Sequence, residues 1–333
     1  MSTLQISWFV LIGVLVAGYI ILDGYDLGVG FWHQFARSSK DRRAMRSAIA
    51  PYWDANEVWL ITAGGALFAA FPMVYATVFS GFYPAFMLLI FALIFRGVSL
   101  VYVSHASDRT KGIWEVAFGV GSILAALLIG VAAGNLIQGI ALDAQGNFTG
   151  TFKDLLGWFP LLTGAAGLAL LAMHGAVFLS VGQDQALAAK ARKWALWGWA
   201  SYLILLIACH VAASKAAVEL VAKVNSIPGG WLFYALVLLS VVGVGLLIGL
   251  SKPRQAFLCS CASIIILLAS IGSAFYPDMV LVRGGGKSLD IASSSSSELT
   301  LGIMFLVAAV GMAAVLGYTY WVRKVFRGGG VEY

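Results

Sequence analysis

Charge is scarce in this sequence. Of its 333 residues 11% are charged, whereas soluble domains carry roughly 25%, and 61% are hydrophobic, with a mean hydropathy of +0.91. That balance excludes an ordinary water-soluble domain. Cysteine is nearly absent: Cys209, Cys259 and Cys261 all fall in apolar stretches and lack CxxC spacing, so they read as small buried side chains and not as a metal site or disulfide framework. No small-residue cleavage site follows the first apolar stretch, which therefore reads as a retained helix and not as a signal peptide. What fills the sequence is apolar runs of about 20 residues, the length that crosses roughly 30 Å of hydrocarbon as a helix. Nine are expected, near residues 7–28, 52–75, 80–102, 114–140, 157–180, 194–213, 231–250, 255–275 and 299–322. The fold class is all-α, a polytopic integral membrane protein with 1–333 forming one domain.

The net charge of +6 would suggest an anionic partner in a soluble protein. Here the basic residues sort by membrane side, which sets orientation. Arg37, Lys40, Arg42, Arg43, Arg46, Arg109, Lys111, Lys190, Arg192, Lys193, Lys252, Arg254, Arg323, Lys324 and Arg327 follow alternate segments. Lys153, Lys215, Lys223, Arg283 and Lys287 lie on the other side. The asymmetry predicts an N-terminus outside and a C-terminus in the cytoplasm. The longest extramembrane piece, about 276–298, holds the glycines 284–286 and the serine run 293–297, and reads as a flexible polar connector.

Charges inside the apolar runs carry the chemical signal, because each costs about 2.5–3.5 kcal/mol at a helix centre and must be compensated or used. Asp23 and Asp26 sit one turn apart in "LDGYDLGVG", and Asp54 and Glu57 repeat that spacing at the start of the second run. Trp53 and Trp59 flank the second pair as interfacial aromatics do. Arg96 is the one basic residue within a segment. Five ionisable groups on three sequential helices are expected to meet near the cytoplasmic side. In the plainer account Arg96 pairs with one carboxylate and Asp54 caps its helix. Four carboxylates against one arginine exceed that need, and a cluster of mixed sign suits proton transfer.

These residues also resemble a known family. "GYIILDGYDLGVGF", "APYWDANEVWLITAGGALFAAFPMVYATVFSGFY", "IFRGV" and the later "SLDIASSSSSELTLGIM" are similar to subunit II of cytochrome bd-type quinol oxidases, from the first helix to the ninth. The resemblance implies a haem-free chain paired with a larger subunit I that carries two haem b, one haem d and the quinol site. The complex would oxidise quinol and reduce O₂ to water with protons from the cytoplasm, in the inner membrane of a bacterium or an archaeon. Carried over residue by residue, Asp54, Glu57, Asp23 and Asp26 match the proton-transfer positions. Arg96 matches the group that tunes them, and Trp53, Asn56 and Trp59 the positioning residues. The family leaves room for a structural quinone and a small single-helix subunit. The chain departs from the pattern at Leu100, Val101, Tyr102 and Val103, where an acid is common, at Val181 and Gly182, where Lys-Thr is common, and at Ala55 in place of a glycine.

Two other classes would use similar residues. A proton-coupled transporter also places carboxylates and arginine in the membrane, but neither "DGYDLGVG" nor "WDANEVWL" recurs in the second half. A scaffold subunit would use the carboxylates only for contact. Among the histidines, His174 is a candidate extension of the cluster, and His174 with His210 are the candidates for haem ligation. His33 and His105 read as solvated. The small-residue pairs Gly24 with Gly28, Gly64 with Gly65, and Gly130 with Gly134 are candidates for a subunit interface.

Overall fold

A computed structural model describes residues 1–144, 146–182, 184–283 and 287–325. Residues 284–286 and Arg327, named above, lie outside the described residues, as do the side chains of Arg323 and Lys324. Of the described residues 83% are helical. In order come α1 (Thr3–Phe35), α2 (Ser39–Ile49), α3 (Trp53–Ala70), α4 (Pro72–Gly81), α5 (Tyr83–Tyr102), α6 (Asp108–Gln138), a 3-10 turn (Phe152–Leu156) and α7 (Trp158–Ser180). The second half holds α8 (Gln185–Ala216), α9 (Val218–Ser226), α10 (Trp231–Gly249), α11 (Pro253–Phe275), strands β1 (Asp278–Val280) and β2 (Leu289–Asp290), α12 (Ile291–Ser294) and α13 (Glu298–Val325).

Among the described residues eight helices are long and apolar enough to cross a membrane: α1, α5, α6, α7, α8, α10, α11 and the Glu298–Val315 part of α13. The expected segment 52–75 is not among them, for two physical reasons. Asp54, Asn56 and Glu57 dilute its first turns. Pro72 ends α3 at Ala70, since a proline has no N–H to continue the ladder and its ring clashes with the preceding turn. The backbone bends at Phe71 (φ −135°, ψ 67°) and restarts as α4.

The core is built around α1 and α7, with α6 and α8 against α7 and with α3 against α1. Glycine makes the closest of these approaches. A Cβ added at Gly28 would lie 1.9 Å from the carbonyl oxygen of Leu171, and one at Gly175 would lie 2.5 Å from the Gly28 carbonyl carbon. Across α6 and α7, a Cβ at Gly134 would fall 1.9 Å from Thr163 Oγ1. Gly24, Gly28, Gly130 and Gly134 are therefore consumed inside this chain, correcting their reading as subunit contacts. Gly65 has nothing within 4 Å of such a Cβ, and Gly64 has only Phe79 at 3.9 Å.

One end of the bundle gathers the basic residues: Lys190 on α8 pairs with Asp41 on α2 at 2.7 Å, and Arg42 pairs with Glu115 of α6 at 2.5 Å. At the opposite end the described residues of the segment after α11 are folded, which corrects their reading as a flexible connector. β1 and β2 form an antiparallel pair, and Val282 bridges to Ile140. Val280, Ile291 and Leu301 join Trp8, Phe71 and Phe82 in a buried cluster. The serine run has a definite task. A helix end leaves carbonyls without partners, and with the ladder broken at Phe71, those of Ala69 and Ala70 accept instead from Ser296 Oγ (2.7 Å) and Ser296 N (2.9 Å). Lys223 of α9 holds the segment through Asp278.

Gly28→Ala forces α1 away from α7 and, by the scale of overpacked cores, costs about 1–3 kcal/mol. Thermal unfolding of the purified complex is expected to shift downward, with Gly112→Ala as the control that does not lower it.

Candidate functional site

Of the five residues expected to cluster, Arg96, Asp23 and Glu57 meet directly, whereas Asp26 and Asp54 lie outside their contacts. Arg96, on α5, is fully buried. Its Nη1 and Nη2 donate to Asp23 Oδ2 (2.9 Å) and Oδ1 (2.6 Å), the bidentate fork that suits a planar guanidinium. Nη2 also lies 2.9 Å from Glu57 Oε1. Arg96 thus joins α1, α3 and α5 at one point. Two glycines allow this. A Cβ on Gly121 of α6 would stand 2.6 Å from the Ala92 carbonyl oxygen and 3.0 Å from Arg96 N, and Gly97 accepts the ring of Trp53.

Asp26 stands apart from the arginine. It is fully buried, and its Oδ2 accepts from Asn56 Nδ2 at 2.9 Å while Oδ1 has no hydrogen-bond partner among the described residues. Asn56 also reaches Tyr25 Oη (2.9 Å) and the Leu22 carbonyl (3.1 Å), so one amide stitches α3 to α1. Trp59 lies against Gly18, where a Cβ would fall 2.3 Å from its ring. The three residues read as positioning groups each meet α1 or α5. Tyr25 was not singled out by sequence. Its signal was weak, a tyrosine between two aspartates, and its stacking on Phe178 at 4.2 Å involves a helix far along the chain.

Asp54 is exposed in the first turn of α3 and makes no side-chain cap, because the N-cap residue is Tyr52. The simple capping account does not hold. Glu57 lies one turn deeper with a quarter of its side chain exposed. From Asp54 through Glu57 to Arg96 and Asp23 the groups pass from solvent to full burial.

His174 is fully buried, yet its ring does not bond to a carboxylate. Nε2 lies 3.0 Å from the Ile21 carbonyl, which only accepts, so this nitrogen carries the proton, and Nδ1 lies 2.8 Å from Ser260 Oγ. The ring stacks on Phe257 at 5.2 Å. His210 is exposed, edge-on to Tyr234 at 4.5 Å. His105 is exposed, as expected, whereas His33 is not solvated: it is 1% exposed and lies 3.0 Å from Arg46 Nη1. Among the described residues no group of three or more His, Cys, Asp and Glu is arranged to hold a metal ion.

A buried ion pair that loses one partner costs about 3–5 kcal/mol, whereas replacing both partners by apolar groups is often neutral. Arg96→Leu is therefore expected to lower sharply the yield of folded complex. Asp23→Leu with Arg96→Leu should recover part of the loss, measured as monodisperse protein after extraction.

Comparison with known proteins gives the family. The family model described as cytochrome bd terminal oxidase subunit II matches residues 4–326. The chain is 35% identical to cytochrome bd-I ubiquinol oxidase subunit 2 of Escherichia coli K12, covering 96% of this chain and 93% of that protein. It is 30% identical to cytochrome bd ubiquinol oxidase subunit 2 of Bacillus subtilis, covering 98% and 97%. Its fold is similar to a chain in the structure of bd oxidase from Geobacillus thermodenitrificans, with a TM-score of 0.79 at 15% identity over 98% of this chain and 100% of that one. With nearly the whole length matched in sequence and in fold, the chain belongs to the cytochrome bd terminal oxidase subunit II family.

Proposed function

We propose that this chain takes protons from the cytoplasm and passes them inward for oxygen reduction. It is subunit II of a cytochrome bd-type terminal oxidase, part of a quinol:O₂ oxidoreductase complex with subunit I, in a bacterial inner membrane. The single observation that carries the proton reading is the bridge from solvent to burial: exposed Asp54, then Glu57 one turn deeper, then Arg96 with Asp23. Asp54 receives the proton. Glu57 relays it to the buried end, where Asp26, with Oδ1 unpartnered, has room to hold one. Arg96 keeps the carboxylates from repelling one another apart, and Asn56 aims Asp26 toward α3. His174 is left out of the route because its ring nitrogens are engaged by Ile21 and Ser260.

The same reading puts the two haem b, the haem d and the quinol site in subunit I. Haem supplies electron transfer and O₂ binding there, and an axial histidine needs a free ring nitrogen facing an open cavity. His174 and His33 have no such nitrogen turned to open space, and His210 faces outward alone. Residues 1–333 form one integral domain, and α3 with α4 supplies a ninth crossing despite its acidic first turns. The asymmetry of basic residues supports an N-terminus outside and a C-terminus in the cytoplasm.

Two tests follow from this reading. Asp54→Asn and Glu57→Gln keep shape and remove the titratable group, so oxygen reduction and proton uptake should fall clearly with haem content of the complex unchanged. Full turnover in both variants and in the double variant would leave the carboxylates a purely structural role. For orientation, a cysteine placed at Ser39 should resist an impermeant thiol reagent in intact cells and react in inverted vesicles.

A further inference from the structure

A second buried group of charges lies at the basic end, apart from the Arg96 cluster. Arg46 of α2 is 9% exposed, Glu115 of α6 8% and His33 of α1 1%. Arg46 Nη1 lies 3.0 Å from His33 Nε2 and 3.4 Å from Glu115 Oε1, while Arg42 Nη1 donates to Glu115 Oε2 at 2.5 Å. Arg42 Nε also donates to the Ala36 carbonyl at the end of α1 (2.9 Å), and Gln34 Nε2 to the Glu115 and Val116 carbonyls. Beneath these contacts Met45 and Ile49 of α2 pack with Val29, Ala36 and Phe118.

The geometry dictates the protonation of His33. A guanidinium N–H can only donate, so Nε2 accepts and the ring is neutral, its proton on Nδ1. That Nδ1 is buried and has no partner among the described residues. The charged groups facing the ring are Arg42 and Arg46 from α2 and Glu115 from α6, and the edge of Phe118 completes its surroundings. A proton on Nε2 would turn N–H against N–H and add a cation beside two arginines. The bond from Arg46 to α1 would be lost, leaving Glu115 and the bond from Arg42 to the Ala36 carbonyl to hold α2.

α2 is joined to α3 by residues 50–52 alone, and Tyr52 N already bonds back to the Ile49 carbonyl at 2.9 Å. The position of α2 therefore bears on the start of α3, together with the contacts that Trp53, Asn56 and Glu57 make to α5 and α1. We propose that His33, Arg46 and Glu115 form a clasp that positions Asp54 and Glu57, and that it closes only while His33 is neutral. Its meaning for proton uptake rests on the reading above, whereas its existence does not. Glu115 acts here as a positioning residue through α2.

The clasp is tested in the assembled complex, after Cys209, Cys259 and Cys261 have been replaced by alanine. Spin labels are placed on cysteines at the exposed positions Ser47 of α2 and Thr110 of α6, and the distance distribution is read at about pH 8, with the charge at position 33 changed by substitution. The parent should give a narrow distribution, and His33→Lys, which sets a cation beside the two arginines, a broad one. His33→Gln offers an amide oxygen to Arg46, so its distribution should stay narrow. Glu115→Gln should broaden it. A narrow distribution in His33→Lys, or one equally broad in His33→Gln, overturns the proposal. Because the readout is the position of α2 and not turnover, it stands whether or not Asp54 and Glu57 prove to carry protons.

Discussion

Everything near the site depends on keeping one guanidinium in a place without water. Arg96 is charged at any pH a cell meets, and burying such a group is several kcal/mol unfavourable unless carboxylates meet it with good geometry. Asp23 of α1 does so with a two-pronged hydrogen bond and Glu57 of α3 lies within ion-pair distance, so α1, α3 and α5 are bound to a common point. That requirement propagates outward. Helices drawn so close to an arginine leave no room for side chains behind it, and the glycine at 121 stands where a Cβ atom would clash with the Ala92 carbonyl.

The two polar clusters divide the basic end between them. One connects α1, α3 and α5, and the other connects α1, α2 and α6. α1 serves both, with Asp23 and Asp26 for the first and His33 for the second, two turns beyond Asp26 on the same face. A single long helix, kept rigid by its close fit against α7, therefore holds both sets of charges in fixed relation.

Much of this was legible in the sequence, and the parts that were not share a cause. Asp23, Asp26, Asp54, Glu57 and Arg96 stood out because charge inside an apolar run needs a reason. The bend at Phe71 was written in Pro72, though an apolar run masks it when only hydropathy is followed. Glu115 and His33 were missed because each lies at the margin of a segment, where a charged residue usually finds water, and only the placement of α2 across them takes that water away. The glycine pairs were recognised as contact residues, but a small-residue stripe does not say which helix it meets. The serine run resembled a linker by composition, since nothing local reveals that its partners are carbonyls some 230 residues earlier.

The bonds from Ser296 give that loop the character of a ruler. Its start is fixed by Asp290, whose carboxylate accepts from Ser293 N at 2.8 Å, and its end by the last carbonyls of α3. A free connector tolerates added or lost residues at small cost, but between two such anchors each residue counts toward where α3 ends. Since α3 is one continuous rod from Trp53 to Ala70, a change of length at 291–295 would be felt as an axial shift at Asp54, about 24 Å away at 1.5 Å per residue. The length of a surface loop and the depth of an acidic side chain at the other face are, in this molecule, the same variable.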